Sequence, residues 1–403
     1  MLPILRDKTL WLLLIFASLY ILGNIGTGSL TTYDEATMAN ISREILNRSD
    51  WLVLYHGGGP WIDKPPLYMW CTAIWYALFG VNEFTTRVTS GIFGVATILL
   101  IYVFTKKIGG KNAAIFAALT LLALPHYLRF AKLGMLDVTV TFFITAAIYL
   151  FWIGQDKPRY LLFSGIAFAL GYLTKGFAAV TAPIIIFTYC VFTNNVRILL
   201  RRQFVIGMLI AVILIGGWHL SQYLVLGQKA IDTFFGVGVY KRATSTFDGH
   251  SGGMNFYQKV IFNKNKPWAV LLYASFAYMV WLALRKRDRR AMLLCAWMVV
   301  MYTLYTIVQS KLHWYIMPVY PALAVSSGIF LDRFLKNKAF KIFVAVILLG
   351  MLIQVPVSWA FKLDFNAKAK DAALHSIKLP YEDDGTIFYN AVVEIRNKQT
   401  RLR

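Results

Sequence analysis

Acidic residues are scarce in this chain: 19 Asp and Glu stand against 41 Lys and Arg, and the four types together make up only 15% of 403 residues. A soluble domain normally carries roughly a quarter charged residues, so a fully water-facing exterior is excluded. Cysteine is nearly missing. Cys71, Cys190 and Cys295 lie in apolar surroundings without CxxC spacing, which argues against a disulfide framework or thiolate metal site and leaves small buried hydrophobes. Internal repeats and low-complexity segments are also lacking. A transporter or flippase would show symmetric repeats and paired broken helices. The net charge of +22 raises nucleic acid as a partner, but no basic run is interleaved with a soluble nucleic-acid-binding motif.

What the chain has instead is hydrocarbon: 58% hydrophobic residues, with 29 Phe, 22 Tyr and 12 Trp. The excess comes in blocks about as long as a bilayer is thick, so the expected fold is an all-α polytopic membrane protein of about eleven spans. They fall near residues 9–28, 84–105, 112–128, 137–154, 159–173, 176–193, 203–225, 268–284, 291–309, 313–331 and 340–359. "LTKGF" (173–177) is either a tight hairpin or a break. The first span reads as an uncleaved helix, because its apolar run is longer than a signal peptide's and no A-x-A site follows.

The short loops set the orientation. "KKIGGK" (106–111), "QDKPR" (155–159), "RILLRR" (197–202), "RKRDRR" (285–290) and "DRFLKNKAFK" (332–341) share one side with Arg6 and Lys8, which makes that side cytoplasmic. The other side receives loops 29–83 and 226–267 and a tail from 360 to 403. It also receives Arg129, Lys132, Asp137, Lys175 and Lys311, charges at the membrane surface that topology leaves unexplained. Such charges are site candidates by default. The tail is too short for a separate domain with its own core.

"TTYDEATMANISREIL" (31–46) puts Asp34 and Glu35 side by side where the chain leaves the first span. Thr32 with Glu35 matches a capping box, and Asp34 suits the positive end of a helix dipole. Met38, Ile41 and Ile45 would lay that helix's greasy face on the membrane interface. Further on, "GGGPWIDKPPLYMW" (57–70) sets Lys64 before two prolines. Pro65 biases Lys64 toward an extended backbone, and Pro66 starts a second interfacial helix over 66–79. Lys64 then stands at a helix entrance, where an ammonium and backbone N–H groups can share a phosphate; the alternative is a solvated loop lysine. Tyr33, Trp51, Tyr55, Trp61, Tyr68 and Trp70 suit an interfacial belt as well as sugar stacking.

The order "YDEATMANISREILNRSDWLVLYHGGGPWIDKPPLYMW", followed by Arg87 and Ser90, resembles the first extracytoplasmic loop of GT-C glycosyltransferases. The nearest branch is that of protein O-mannosyltransferases and lipid A aminoarabinose transferases. "RFAKLGMLDVTVTFF" (129–143), "LTKGFAAVTAP" (173–183), "FDGHSGGMNFYQKVIF" (247–262) and "SKLHWYIMPVYPALA" (310–324) keep the family's order. The resemblance implies a GT-C-like bundle over residues 1–359, in the cytoplasmic (inner) membrane with its site on the extracytoplasmic face. It also implies inverting transfer of a sugar from a polyprenyl phosphate to a lipid, glycan or protein acceptor. An oligosaccharyltransferase or glycan ligase with a larger donor is the alternative, and a non-catalytic scaffold a third.

On that resemblance Asp34 is the catalytic carboxylate, and Glu35 supports it or caps the helix. Lys64 grips the carrier phosphate, with Arg242 in "YKRATS" as second cation. Asp137 and Lys175 line the sugar and phosphate cavity or form an ion pair, and Tyr315 matches the tyrosine of "KL--Y--P". Arg129, Lys132 and Lys311 complete the substrate-binding set. No cofactor is required, although Asp63 and His250 could touch a divalent metal as in some relatives. The chain's end about forty residues past its last span suggests a reduced tail or a partner for acceptor selection, by contrast with longer aminoarabinose-branch relatives.

Overall fold

The structure is a computed structural model that describes residues 6–30, 33–245, 251–334, 341, 342 and 344. Helices α1 (Lys8–Leu22), α2 (Tyr33–Arg48), α3 (Leu67–Phe79), α4 (Glu83–Gly109), α5 (Lys111–Ala123), α6 (Pro125–Ala131) and α7 (Leu136–Gly154) come first in the chain. They are followed by α8 (Arg159–Lys175), α9 (Thr181–Phe192), α10 (Arg202–Leu226), α11 (Gln228–Ile231), α12 (Arg242–Thr244), α13 (Phe256–Lys264), α14 (Ala269–Lys286), α15 (Arg289–Ile307) and α16 (Tyr320–Phe334). A two-residue hairpin, Tyr55–His56 with Gly59–Pro60, is the sheet content of the described residues.

Among the described residues, seven helices are long and apolar enough to cross a membrane, or eight when the pair α5 and α6, bent by 72°, counts as one broken span. The protein is therefore a polytopic helical membrane protein. The sequence expectation of eleven is not met one for one. Helix α1 has 15 residues, below the usual spanning length of about 17–25, and the segment near 340–359 lies outside the described residues. Arg159–Phe192 counts once by length and composition, yet it folds back at Gly176. The Tyr189 hydroxyl donates to the Gln155 side chain at 3.2 Å, so the end of α9 returns to the level where α8 begins. "LTKGF" is a hairpin tip, and Gly176 turns it with φ +59°, a conformation a side chain resists.

The basic loops meet at one end of the bundle. Lys106 pairs with Asp7, Arg290 donates to the Ile108 carbonyl at 2.8 Å, and Arg201 donates to the Gln155 carbonyl at 3.0 Å. Small residues let helices approach closely between the two ends: a Cβ on Gly165 would sit 2.3 Å from the Gly207 backbone, where α8 crosses α10.

At the other end, α2 and α3 pack together. Met38, Ile41 and Ile45 are buried with Leu54, Tyr68, Met69, Ala73 and Leu136. The apolar stripe of α2 thus faces a neighbouring helix and not the membrane interface, because α3 presents a matching apolar side. Thr32, needed for the expected capping box, lies outside the described residues.

Candidate active site

Six of the sequence-derived residues come together from five separate parts of the chain. Lys64, Asp137, Lys175, Arg242 and Tyr315 all line a cavity of about 340 Å³, together with Asp63. Lys64 arrives on the loop before α3, Asp137 in the first turn of α7, and Lys175 at the end of α8. Tyr315 sits on the 3-10 turn His313–Val319 that leads into α16. Arg242 follows a π-helical run, Asp232–Lys241, a rare geometry that tends to mark functional sites. The run also puts Phe234, Gly238 and Val239 on the cavity wall.

The charges form two linked groups. Asp63 accepts from the Lys64 ammonium at 2.9 Å and from the Arg242 guanidinium at 3.2 and 3.3 Å. Arg242 also reaches the Tyr315 hydroxyl at 3.4 Å. Across the cavity Lys175 is paired with Asp137, and its ammonium stands 5.2 Å from the centre of the Tyr315 ring. Three cations thus face two carboxylates in this cavity, a surplus suited to a bound anion. Burial works against ionising Asp63, but Lys64, Arg242 and Lys175 outweigh it and hold its pKa below the ordinary carboxylate value. Burial, with Arg242 and Lys175 adding to it against the pull of Asp63, lowers the pKa of Lys64.

Asp34 is half-buried in the first turn of α2. It is not one of the residues lining this cavity, but its charge, like that of Lys64, acts on Asp137. Glu35 is elsewhere. It is fully buried and accepts from Arg87 at 2.7 and 3.3 Å and from the Gly134 N–H at 2.9 Å. The same Arg87 donates to the carbonyls of Ile25, Thr27, Gly28 and Ser29 at 2.8–3.2 Å. Glu35 is therefore closed off from the cavity; it and Arg87 anchor the strap that delivers Asp34. A Cβ on Gly134 would lie 2.9 Å from Thr86 and 3.4 Å from Glu35, so the clamp needs glycine there. Arg87 stood in the sequence as a motif residue without a role, since no local pattern announces five contacts spread over sixty positions.

The remaining candidates are not on the cavity wall. Lys132 lies over the Tyr20 ring at 4.9 Å. Arg129 is beside the pair formed by buried His126 and half-buried His313. Lys311 is buried and donates to the Val308 carbonyl at 2.7 Å. Their placement at the same end of the bundle follows from topology, while their direct role in binding does not. Next to Lys311, the N–H groups of Gln309 and Ser310 bond the carbonyls of Ala243 and Arg242, each at 3.2 Å. This tie holds Arg242 to the segment that carries Tyr315.

For a metal, Asp63 is a poor start. Its oxygens are occupied by two cations, which would repel a divalent ion. His250 lies outside the described residues, and no group of three His, Cys, Asp or Glu residues is placed to hold an ion among the described residues.

Residues 63–219 match the family described as dolichyl-phosphate-mannose-protein mannosyltransferase. The chain is 29% identical over 352 residues to an undecaprenyl phosphate-alpha-4-amino-4-deoxy-L-arabinose arabinosyl transferase of Aeromonas salmonicida, covering 83% of this chain and 62% of the relative. An uncharacterized protein of Aquifex aeolicus is 28% identical over 312 residues, covering 77% of this chain and 61% of its own. The fold superimposes on crystalline ArnT from Cupriavidus metallidurans bound to undecaprenyl phosphate with a TM-score of 0.74 and 25% identity, over 85% of this chain and 63% of that one. It also matches the Archaeoglobus fulgidus oligosaccharyltransferase, with a TM-score of 0.62 and 16% identity, over 87% of this chain and 55% of that one, a likeness of fold alone. The chain thus spans about three fifths of the length of these bacterial relatives. In fold and in these matches it is similar to the GT-C membrane glycosyltransferases. Within that class, residues 63–219 resemble the protein O-mannosyltransferase family, and most of the chain resembles the aminoarabinose transferases.

Proposed function

We propose that the protein transfers a sugar from a polyprenyl phosphate, of the undecaprenyl or dolichyl type, to a hydroxyl or lipid phosphate outside the cytoplasmic membrane, with inversion at the anomeric carbon. The observation that carries this reading is the convergence of Lys64, Lys175 and Arg242 on one cavity at the end of the bundle opposite the basic loops. In the reaction the acceptor oxygen attacks the anomeric carbon and the bond from that carbon to the phosphate oxygen breaks. For a hydroxyl acceptor the proton passes to the Asp34 carboxylate, which also orients the attacking oxygen. The phosphate leaves with its carrier and gains negative charge, which the fixed cations stabilise without reorganising. Such an arrangement asks for no metal.

The relatives' undecaprenyl-linked aminoarabinose chemistry supports an undecaprenyl-type donor and a lipid acceptor, with glycan or protein as other acceptor classes. The eleven-span topology and an inner-membrane location, with the cavity on the non-cytoplasmic face, belong to the same reading. An oligosaccharyltransferase would take a larger donor. A cavity of about 340 Å³ lies at the lower end of ordinary small-molecule sites and favours a single sugar. The test is incubation of purified protein with a panel of polyprenyl-phosphate sugars, followed by mass analysis of lipids and candidate acceptors. A glycosylated acceptor with loss of the lipid-linked sugar is expected. No transfer with any monosaccharide donor, alongside transfer of a lipid-linked oligosaccharide, would reject the reading.

A further inference from the structure

The basic end of the bundle holds a second, larger cavity, of about 720 Å³, where the ends of α14, α15 and α16 meet α4. Its polar lining includes Lys286, Arg290, Asp332 and Arg333, and its aromatic wall includes Tyr278, Trp281 and Phe334. The charges here are not balanced. Asp332 is held by Lys341 at 2.6 Å. Arg290 is engaged with Asp288 and with the Ile108 carbonyl. Lys286 and Arg333, both exposed, pair with no carboxylate among the described residues. Lys286 stands instead 5.8 Å over the Trp281 ring.

The wall beside them is built for hydrocarbon. Tyr278 stacks on Trp281, with ring centres 5.9 Å apart and planes within 17°, and meets Phe334 edge-on at 5.4 Å. Trp281 and Phe334 are 48% and 59% exposed, a cost in water that vanishes against acyl chains. Two cations with no carboxylate partner among the described residues, at the membrane surface next to an exposed aromatic slab, call for an anion with an apolar body. A free anion would satisfy only half of that surface.

We propose that this cavity binds the phosphate headgroup of an anionic bilayer phospholipid, with Lys286 and Arg333 on the phosphate and the acyl chains along Trp281 and Phe334. Basic pockets between helices at a membrane surface recognise such headgroups. The site is separate from the candidate active site and does not depend on the proposed reaction.

The test compares wild type with the double variant Lys286→Gln/Arg333→Gln, reconstituted in nanodiscs of phosphatidylcholine with or without phosphatidylglycerol. Native mass spectrometry counts the lipid retained after detergent release. Wild type should retain phosphatidylglycerol over phosphatidylcholine, and the double variant should lose that preference by about tenfold. Arg333→Lys keeps the charge and should retain most of it. Thermal unfolding in pure phosphatidylcholine should be the same for all three proteins, since the exchanged side chains are exposed. Equal retention of phosphatidylglycerol by wild type and double variant would overturn the proposal. So would displacement of phosphatidylglycerol by equimolar polyprenyl phosphate, which would make the carrier lipid the occupant, or by inorganic phosphate, which would make the site a simple anion hole.

Discussion

Asp34 and Lys64 hold different shares of the proposed chemistry, and their substitution should separate them. Asp34→Asn keeps shape and loses charge at the start of α2. Transfer should fall by on the order of 10²–10⁴, with donor affinity and melting temperature near wild type; near-normal turnover would remove Asp34 from the mechanism. Lys64→Ala should instead weaken donor binding, read as affinity for polyprenyl phosphate. Its pH dependence follows from the surroundings. Burial first, then Arg242 and Lys175, depress the Lys64 pKa despite Asp63, so the ammonium loses its proton below the ordinary lysine range. Phosphate affinity should fade as pH rises, before free lysine would titrate. Lys64→Arg, whose guanidinium stays charged, should hold affinity through that alkaline window. The stability term has the opposite sense: because the folded pKa lies below the unfolded one, the cost of burying the cation is relieved as pH rises through the folded value. A wild-type affinity that is flat across the alkaline range would refute this role for Lys64.

The elements explain why some of this was visible in the sequence and some was not. Span positions follow from composition and breakers, so α4, α7, α10, α14, α15 and α16 lie close to where hydropathy puts them. The hairpin at Gly176 was one of two readings of "LTKGF", since a glycine after a lysine marks a turn but not its angle. Three features were illegible. A π-helix has no local signature, so nothing before the structure showed how Arg242 would be aimed. The apolar stripe of α2 has the same period whether it meets lipid or protein, and only α3 decides between them. Glu35 is the clearest case. Its neighbour Asp34 suggested shared chemistry, but side chains one residue apart on a helix point some 100° apart, and Glu35 points inward to Arg87. Breaking such a buried pair by removing one partner costs about 3–5 kcal/mol. Glu35→Gln and Arg87→Met should therefore each lower the melting temperature sharply and reduce the folded yield. Asp34→Asn should do neither. If Glu35→Gln melted like wild type and failed only in transfer, Glu35 would move from anchor to catalyst.

At the scale of the whole molecule the two ends carry opposite tasks. Loops with Lys106, Arg201 and Arg290 are tied to neighbouring chain at one end, while the cavity with Lys64, Lys175 and Arg242 opens at the other. A lipid-linked donor could reach that cavity only from the leaflet at its own level, because the helices between the ends are close-packed. The excess of Lys and Arg in the short loops should keep the basic end in the cytoplasm, which puts the cavity outside. Sidedness is measurable directly. In a background without Cys71, Cys190 and Cys295, Asn47→Cys on α2 and Lys107→Cys on α4 place exposed thiols at opposite ends. A membrane-impermeant maleimide applied to spheroplasts should label position 47 and spare position 107 until the membrane is opened. The reverse pattern would put the cations on the cytoplasmic side, where a sugar could no longer be delivered to an outside acceptor, and the proposed reaction would have to be given up with the topology.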